Sequence, residues 1–177
     1  MNIQKEYNMK KINCVLAFIV IGAVGTLWHF VYEWSGESPI IGAIAPVNES
    51  VWEHLKLLFF PALFYFAVEF FLCKELYENF IPASVIGIFA GMLTITAFFY
   101  TYTGVLGFDS PILDVLSYYL GLAVTLMIKS RILKNKSFSS KTAMYISLIF
   151  AAATAVLFGV WSFYPPRLGI FIPPAAV

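Results

Sequence analysis

Apolar residues run along this chain in five long blocks separated by short polar stretches. The blocks cover about 13–34, 51–73, 80–103, 111–128 and 142–164. A helix needs about 20 apolar residues to cross the hydrocarbon core of a bilayer, so each block predicts a transmembrane helix. The stretch 39–47 (PIIGAIAPV) is apolar too. It is too short to span, and its glycine and two prolines oppose a regular helix. Non-helical backbone at membrane depth survives only where protein covers it. The pattern therefore predicts an apolar loop folded over the mouth of an all-α, polytopic transmembrane bundle, a single domain over 1–177 with no internal repeat.

Composition agrees with lipid as the solvent. The 177 residues are 60% hydrophobic and 12% charged, whereas a soluble domain carries about 25% charged residues. A net charge of +1 gives no bulk attraction to nucleic acid. The distribution of charge says more than its sum. Lys5, Lys10 and Lys11 precede the first block, Lys74 follows the second, and Lys129, Arg131, Lys134, Lys136 and Lys141 lie between the fourth and fifth. An odd number of helices puts all of these on one side, opposite Arg167. The positive-inside bias then predicts a multi-pass protein of the cell membrane with a cytoplasmic N-terminus and an outside C-terminus. The basic loop 129–141 fixes topology and would touch anionic lipid headgroups; docking a partner is its other reading. Nothing in the sequence sets an oligomeric state. The first block is too long for a signal-peptide core and lacks a small-residue cleavage site, so it is expected to remain as a helix. Cys14 and Cys73 fall near cytoplasmic helix ends and have no metal-ligand spacing.

Small and polar residues recur at helical spacing: Gly22, Gly25, Thr26, His29 and Glu33; Gly87, Gly91, Thr94 and Thr101; Asp114, Tyr118, Gly121 and Thr125. In lipid such stripes let backbones approach, so they predict packing faces. They also aim polar groups inward. Both histidines of the chain fall at the predicted outer level, each close in sequence to carboxylates. His29 and Glu33 are four apart, a spacing that can put an imidazole and a carboxylate on one metal ion. Glu49, Glu53, His54 and Lys56 open the second helix, and Asp109 and Asp114 approach from the start of the fourth. Burying charge in a bilayer costs several kcal/mol, of order 3, unless the group is paired, hydrated or metal-bound, so these groups are expected to meet in a polar pocket.

Within that pocket His29, Glu33, Glu49 and His54 are the candidate metal ligands, Glu53 and Asp114 the candidate catalytic acid/base groups, and Asn48, Lys56 and Tyr118 further lining residues. Imidazole with carboxylate suits Zn, Mn or Fe, and such a metal acidifies a bound water for hydrolysis. Structural readings stand beside each. Ser50-x-x-Glu53 matches a capping box, Glu49 suits the first turn of a helix, Lys56 can neutralise either acid, and His29 with Glu33 can be a hydrogen-bonded pair. Ser110-Pro111-x-x-Asp114 reads as a helix start. Glu69, in the inner half of the second helix, is outside the pocket and would snorkel or pair with Lys74.

Trp28-His29-x-x-Tyr32-x-Trp34, the block Pro46-Val47-Asn48-Glu49-Ser50-x-Trp52-Glu53-His54-x-Lys56-Leu57, and Phe163-Tyr164-Pro165-Pro166 together resemble an uncharacterised family of small bacterial multi-pass membrane proteins. The resemblance covers most of the chain, and the P-V-N-E-S-x-W-E-H-x-K block is its most specific part. It implies a membrane protein organised around that block and lends no reaction. Three readings follow from the residues. One is a membrane-embedded, metal-dependent hydrolase or transferase acting on a lipid-like substrate. Another is a small-ion or solute carrier, with Pro61 as a hinge in the second helix. The last is a non-catalytic accessory protein with the polar cluster as internal glue.

Overall fold

The computed structural model describes residues 3–72 and 78–174, with side chains from Cys14 onward. Cys73 and Lys74 lie outside the described residues, as do the side chains of Lys5, Lys10 and Lys11. The described chain is helical, without strands: α1 (Ile3–Trp28), α2 (Val31–Trp34), α3 (Pro39–Gly42), α4 (Val51–Leu72), α5 (Phe80–Leu106), α6 (Pro111–Asn135), α7 (Lys141–Phe163) and a closing 3-10 turn (Gly169–Phe171).

Helices α4 to α7 are each long and apolar enough to cross a membrane, and the apolar part of α1, Cys14–Trp28, is shorter. Much of α7 faces outward. Ile149, Phe150 and Val156 are all more than half exposed, a display of apolar surface that water would not tolerate at this scale. These helices mark the chain as a membrane protein.

Helix α4 is the centre of the bundle, with α1, α5, α6 and α7 all against it, and it runs unbroken through Pro61. Its Leu58, Phe59 and Phe60 form the core with Ile21 of α1, Ile88 of α5, Leu122 of α6 and Phe158 of α7. The most extensive contact joins α5 to α6. There the glycine stripes do what their spacing predicts. A Cβ added to Gly91 would stand 2.6 Å from the Gly121 carbonyl oxygen, and one added to Gly121 would stand 2.8 Å from that of Gly91. The two backbones touch, a spacing that only residues without side chains permit.

Three boundaries differ from those the apolar blocks suggest, the first being that α1 already begins at Ile3, ten residues before its apolar block. The first helix stops at Trp28 instead of running on to Trp34; the Phe30 amide bonds the Leu27 carbonyl, a tightened last turn, before α2 begins. His29 and Glu33 are therefore not on one helix face. Helix α6 continues to Asn135, so Lys129, Arg131 and Lys134 are helical rather than in a loop. Lys129 is buried and pairs with Glu69 at 2.5 Å, with the Phe66 and Phe80 rings beneath its ammonium. Lys129 is thus unavailable to lipid headgroups, and Glu69 has a partner on α6.

The apolar stretch 39–47 is folded onto the bundle. Pro39 starts the single turn of α3, and Gly42, Ala45 and Pro46 are buried. The indole Nε1 of Trp28 donates to the Ile44 carbonyl at 2.9 Å. A Cβ on Gly42 would press on Val47, Tyr32 and Phe163. This covering supplies the protein shelter that irregular backbone needs in an apolar setting.

Candidate metal centre at the histidine end

One end of the bundle gathers the last residues of α1, α5 and α7 and the first of α4 and α6. His29 follows the end of α1, Glu49 sits in the turn before α4, and His54 is in the first turn of α4. Both imidazoles converge on one carboxylate oxygen. His54 Nε2 is 3.3 Å and His29 Nε2 is 3.5 Å from Glu49 Oε2. The two rings lie 5.4 Å apart. All three ligand atoms fall within 4.8 Å of one another. The hydrogen bond from His54 holds the Glu49 carboxyl below the usual carboxylate range; burial opposes this, and the nearby His54 and His29 charges add to it.

The chemistry of this donor set fits a divalent ion. A tetrahedral zinc with bonds of about 2.0–2.1 Å has neighbouring ligands about 3.3–3.4 Å apart, close to the two imidazole–carboxylate separations here. The three side chains are partly open to the surroundings: Glu49 is 65% exposed, His29 32% and His54 27%. A closed structural site would be four-coordinate and sheltered; an open one is the catalytic pattern.

One residue along α4 the wiring reverses. Glu53 and Lys56 are fully buried and pair at 2.8 Å. Lys56 Nζ also donates to the carbonyls of Gly42 (2.7 Å) and Ala45 (3.1 Å) and reaches Ser162 Oγ at 2.5 Å. Glu53 Oε2 accepts from the Val47 amide at 2.9 Å, and Glu53 Oε1 accepts from Ser162 Oγ at 2.7 Å. An ammonium has three protons to give, and here four acceptors surround it. Such a lysine is committed to its hydrogen bonds and has no capacity to serve Ser162 as a base.

The expected capping box is made by substitution of partners. The Glu53 amide bonds Ser50 Oγ at 3.4 Å, but the Glu53 carboxylate goes to Val47, and Asn48 Oδ1 takes the Ser50 amide at 2.9 Å.

Of the nine residues expected in one pocket, three converge: His29, Glu49 and His54. Glu53 and Lys56 form the separate buried pair. Glu33 is exposed on α2 and has no ion pair among the described residues. Asn48 is an exposed turn residue. Tyr118 donates to the Ile21 carbonyl at 2.8 Å, deep between α6 and α1. Asp114 is half-buried in the first turn of α6, accepts a hydrogen bond from Tyr102, and stands near enough to feel His54, Asp109 and Glu49. Sequence reasoning missed Ser162 and Tyr102. Ser162 is an isolated hydroxyl near the end of α7 and Tyr102 one of four consecutive hydroxyl residues in α5, and nothing in the local spacing points to either one's partner on another helix.

No curated protein and no solved structure matches this chain. A family model does: it spans residues 1–175, and the chain belongs to that family, the family of unknown function DUF6512.

Proposed function

We propose that this protein is a multi-pass membrane protein carrying a divalent-metal site at its outer face, where it acts as a metal-dependent hydrolase or transferase on a lipid-like substrate. The observation that carries the reading is the convergence of His29, Glu49 and His54 at metal-ligand spacing, with the three side chains partly open to the surroundings. Zinc suits two imidazoles and a carboxylate best; Mn and Fe are accommodated by the same donors.

Five spans place the site outside. The reading takes α1 as the first span: its 26 residues run about 39 Å at 1.5 Å per residue, with Cys14–Trp28 as the apolar part and its lysine-bearing first turns at headgroup level. Arg131, Lys134, Lys136 and Lys141 are exposed at the opposite end of the bundle, which the positive-inside bias assigns to the cytoplasm. The same residues would meet anionic headgroups there. Aromatic side chains ring the histidine end: Phe30 stacks on Trp34, and Trp34 and Tyr164 are largely exposed. Such residues favour the headgroup level of a bilayer, so the site would face the ester and phosphoester bonds of lipids.

When bound, the metal supplies a water acidified to near neutrality. Asp114, whose carboxylate Tyr102 fixes and which feels His54 and Glu49, would be the group to accept a proton there and return it to the leaving alcohol. The test is hydrolysis of phospholipid or lipid-ester analogues by the purified protein in proteoliposomes. The reading predicts turnover that chelation abolishes, that zinc restores, and that Asp114→Asn lowers at least a hundredfold, as for a general acid–base group. Turnover indifferent to chelator, or none with any lipid despite bound metal, would defeat it.

A further inference from the structure

The apolar loop 39–47 makes one turn of its own backbone hydrogen bonds, from the Gly42 to the Ala45 amides, but the Gly42, Ile44 and Ala45 carbonyls and the Val47 amide are taken by side chains of the bundle, and the loop leads directly into Glu49. Four side chains from three helices hold it. From α1, Trp28 bonds the Ile44 carbonyl. From α4, Lys56 takes the Gly42 and Ala45 carbonyls, and Glu53 takes the Val47 amide. From α7, Ser162 bridges Glu53 and Lys56, joining a helix more than a hundred residues away to the same knot. Two residues past the captured Val47 stands Glu49, whose carboxylate meets both histidines. Trp28 is also the residue before His29.

We infer that the Glu53–Lys56–Ser162 cluster is a clamp that locks the loop 39–47 onto the bundle and thereby sets the position of Glu49 against His29 and His54. Glu53, Lys56 and Ser162 are positioning residues, touching neither metal nor substrate. The alternative fate of the same groups, a Ser–Lys nucleophile pair, is disfavoured because the ammonium is saturated by backbone carbonyls and a carboxylate. A buried pair of this kind stabilises less than its contacts suggest, since desolvation offsets the attraction. What it gains is one fixed loop conformation, and preorganised ligands are what a metal site needs.

The inference rests on the metal reading only for its consequence, not for the clamp itself, so two readouts separate them. The first is amide hydrogen exchange of the zinc-free, full-length protein. Ser162→Ala removes the bridge with little risk to folding, and Ser162→Thr keeps the hydroxyl. Ser162→Ala should speed exchange of the Val47 amide and its neighbours through Ser50 at least tenfold, with α5 and α6 unchanged, while Ser162→Thr stays near wild type. The second is zinc affinity, which Ser162→Ala should weaken at least tenfold and Ser162→Thr should preserve. Glu53→Gln should reproduce both effects. Unchanged exchange in Ser162→Ala and Glu53→Gln would overturn the clamp. Faster exchange with undiminished zinc affinity would overturn its positioning role. A wild type that exchanges as described but binds no zinc would refute the metal reading and leave the clamp standing.

Discussion

Glu53 and His54 are neighbours in sequence, yet they belong to opposite kinds of site. On α4 they point about 100° apart. Glu53 faces inward into a cluster where nearly every polar atom has a partner, and both it and Lys56 are fully buried. His54 faces the half-open end of the bundle, where it shares one carboxylate oxygen with His29. The difference teaches how polar residues divide in an apolar bundle. Groups that are saturated and dry hold structure. Groups that are under-coordinated and partly wet can take a ligand. Residue type does not decide between the two, since each set contains a glutamate and basic side chains.

That contrast can be broken most severely at Lys56. Lys56→Met leaves Glu53 as an uncompensated buried charge and strands two carbonyls, so it should destabilise by about 3–5 kcal/mol, read as a large fall in the thermal midpoint in detergent. Removing Glu53 as well, as in Lys56→Met with Glu53→Leu, deletes both charges and should recover at least half of that loss. If the single variant melts like wild type, the cluster is not the closed, structural region described.

The opposite pattern is expected at the histidines. His54→Ala should lower zinc affinity at least tenfold, in keeping with loss of one of the three proposed ligands, and leave the stability of the metal-free protein within about 0.5 kcal/mol of wild type. A large stability loss here would erase the distinction between the two regions.

The smallest effect concerns pH. His54 and His29 lower the Glu49 pKa, so ionised Glu49 adds stability that is present above its unfolded pKa and is lost as pH falls through the folded one. Because the carboxylate is largely exposed, the contribution is screened and should stay below about 1 kcal/mol. Wild type and Glu49→Gln should therefore differ modestly at neutral pH and converge in acid; a difference that grows with acidification would contradict the sign.

The sequence carried much of this in a form that chemistry can read, and some in a form it cannot. Helical apolar blocks marked α4 to α7 because period and length both report on lipid. Gly91 and Gly121 announced the α5–α6 contact because small residues at helical spacing have few other uses in a bilayer. The histidine end was legible as a level in the membrane but not as a set of contacts. His29 was matched with Glu33 because four residues make one helical turn, and no proline or glycine at positions 29 and 30 signals that the helix ends. Once it ends, His29 turns to Glu49, twenty residues on. Ser162 and Tyr102 were invisible because their roles arise only when α7 meets α4 and α5 meets α6. Spacing reports faces of one element; partners across elements come from packing.

The central claim is that His29, Glu49 and His54 together hold one divalent ion. Zinc K-edge X-ray absorption of the purified, zinc-loaded protein tests it most directly. The account predicts one zinc per chain with two imidazole nitrogens and a carboxylate oxygen at about 2.0–2.1 Å, and loss of the imidazole signature in the double variant His29→Ala with His54→Ala. Zinc surrounded by oxygens alone, or an imidazole signature that survives the double variant, would contradict it.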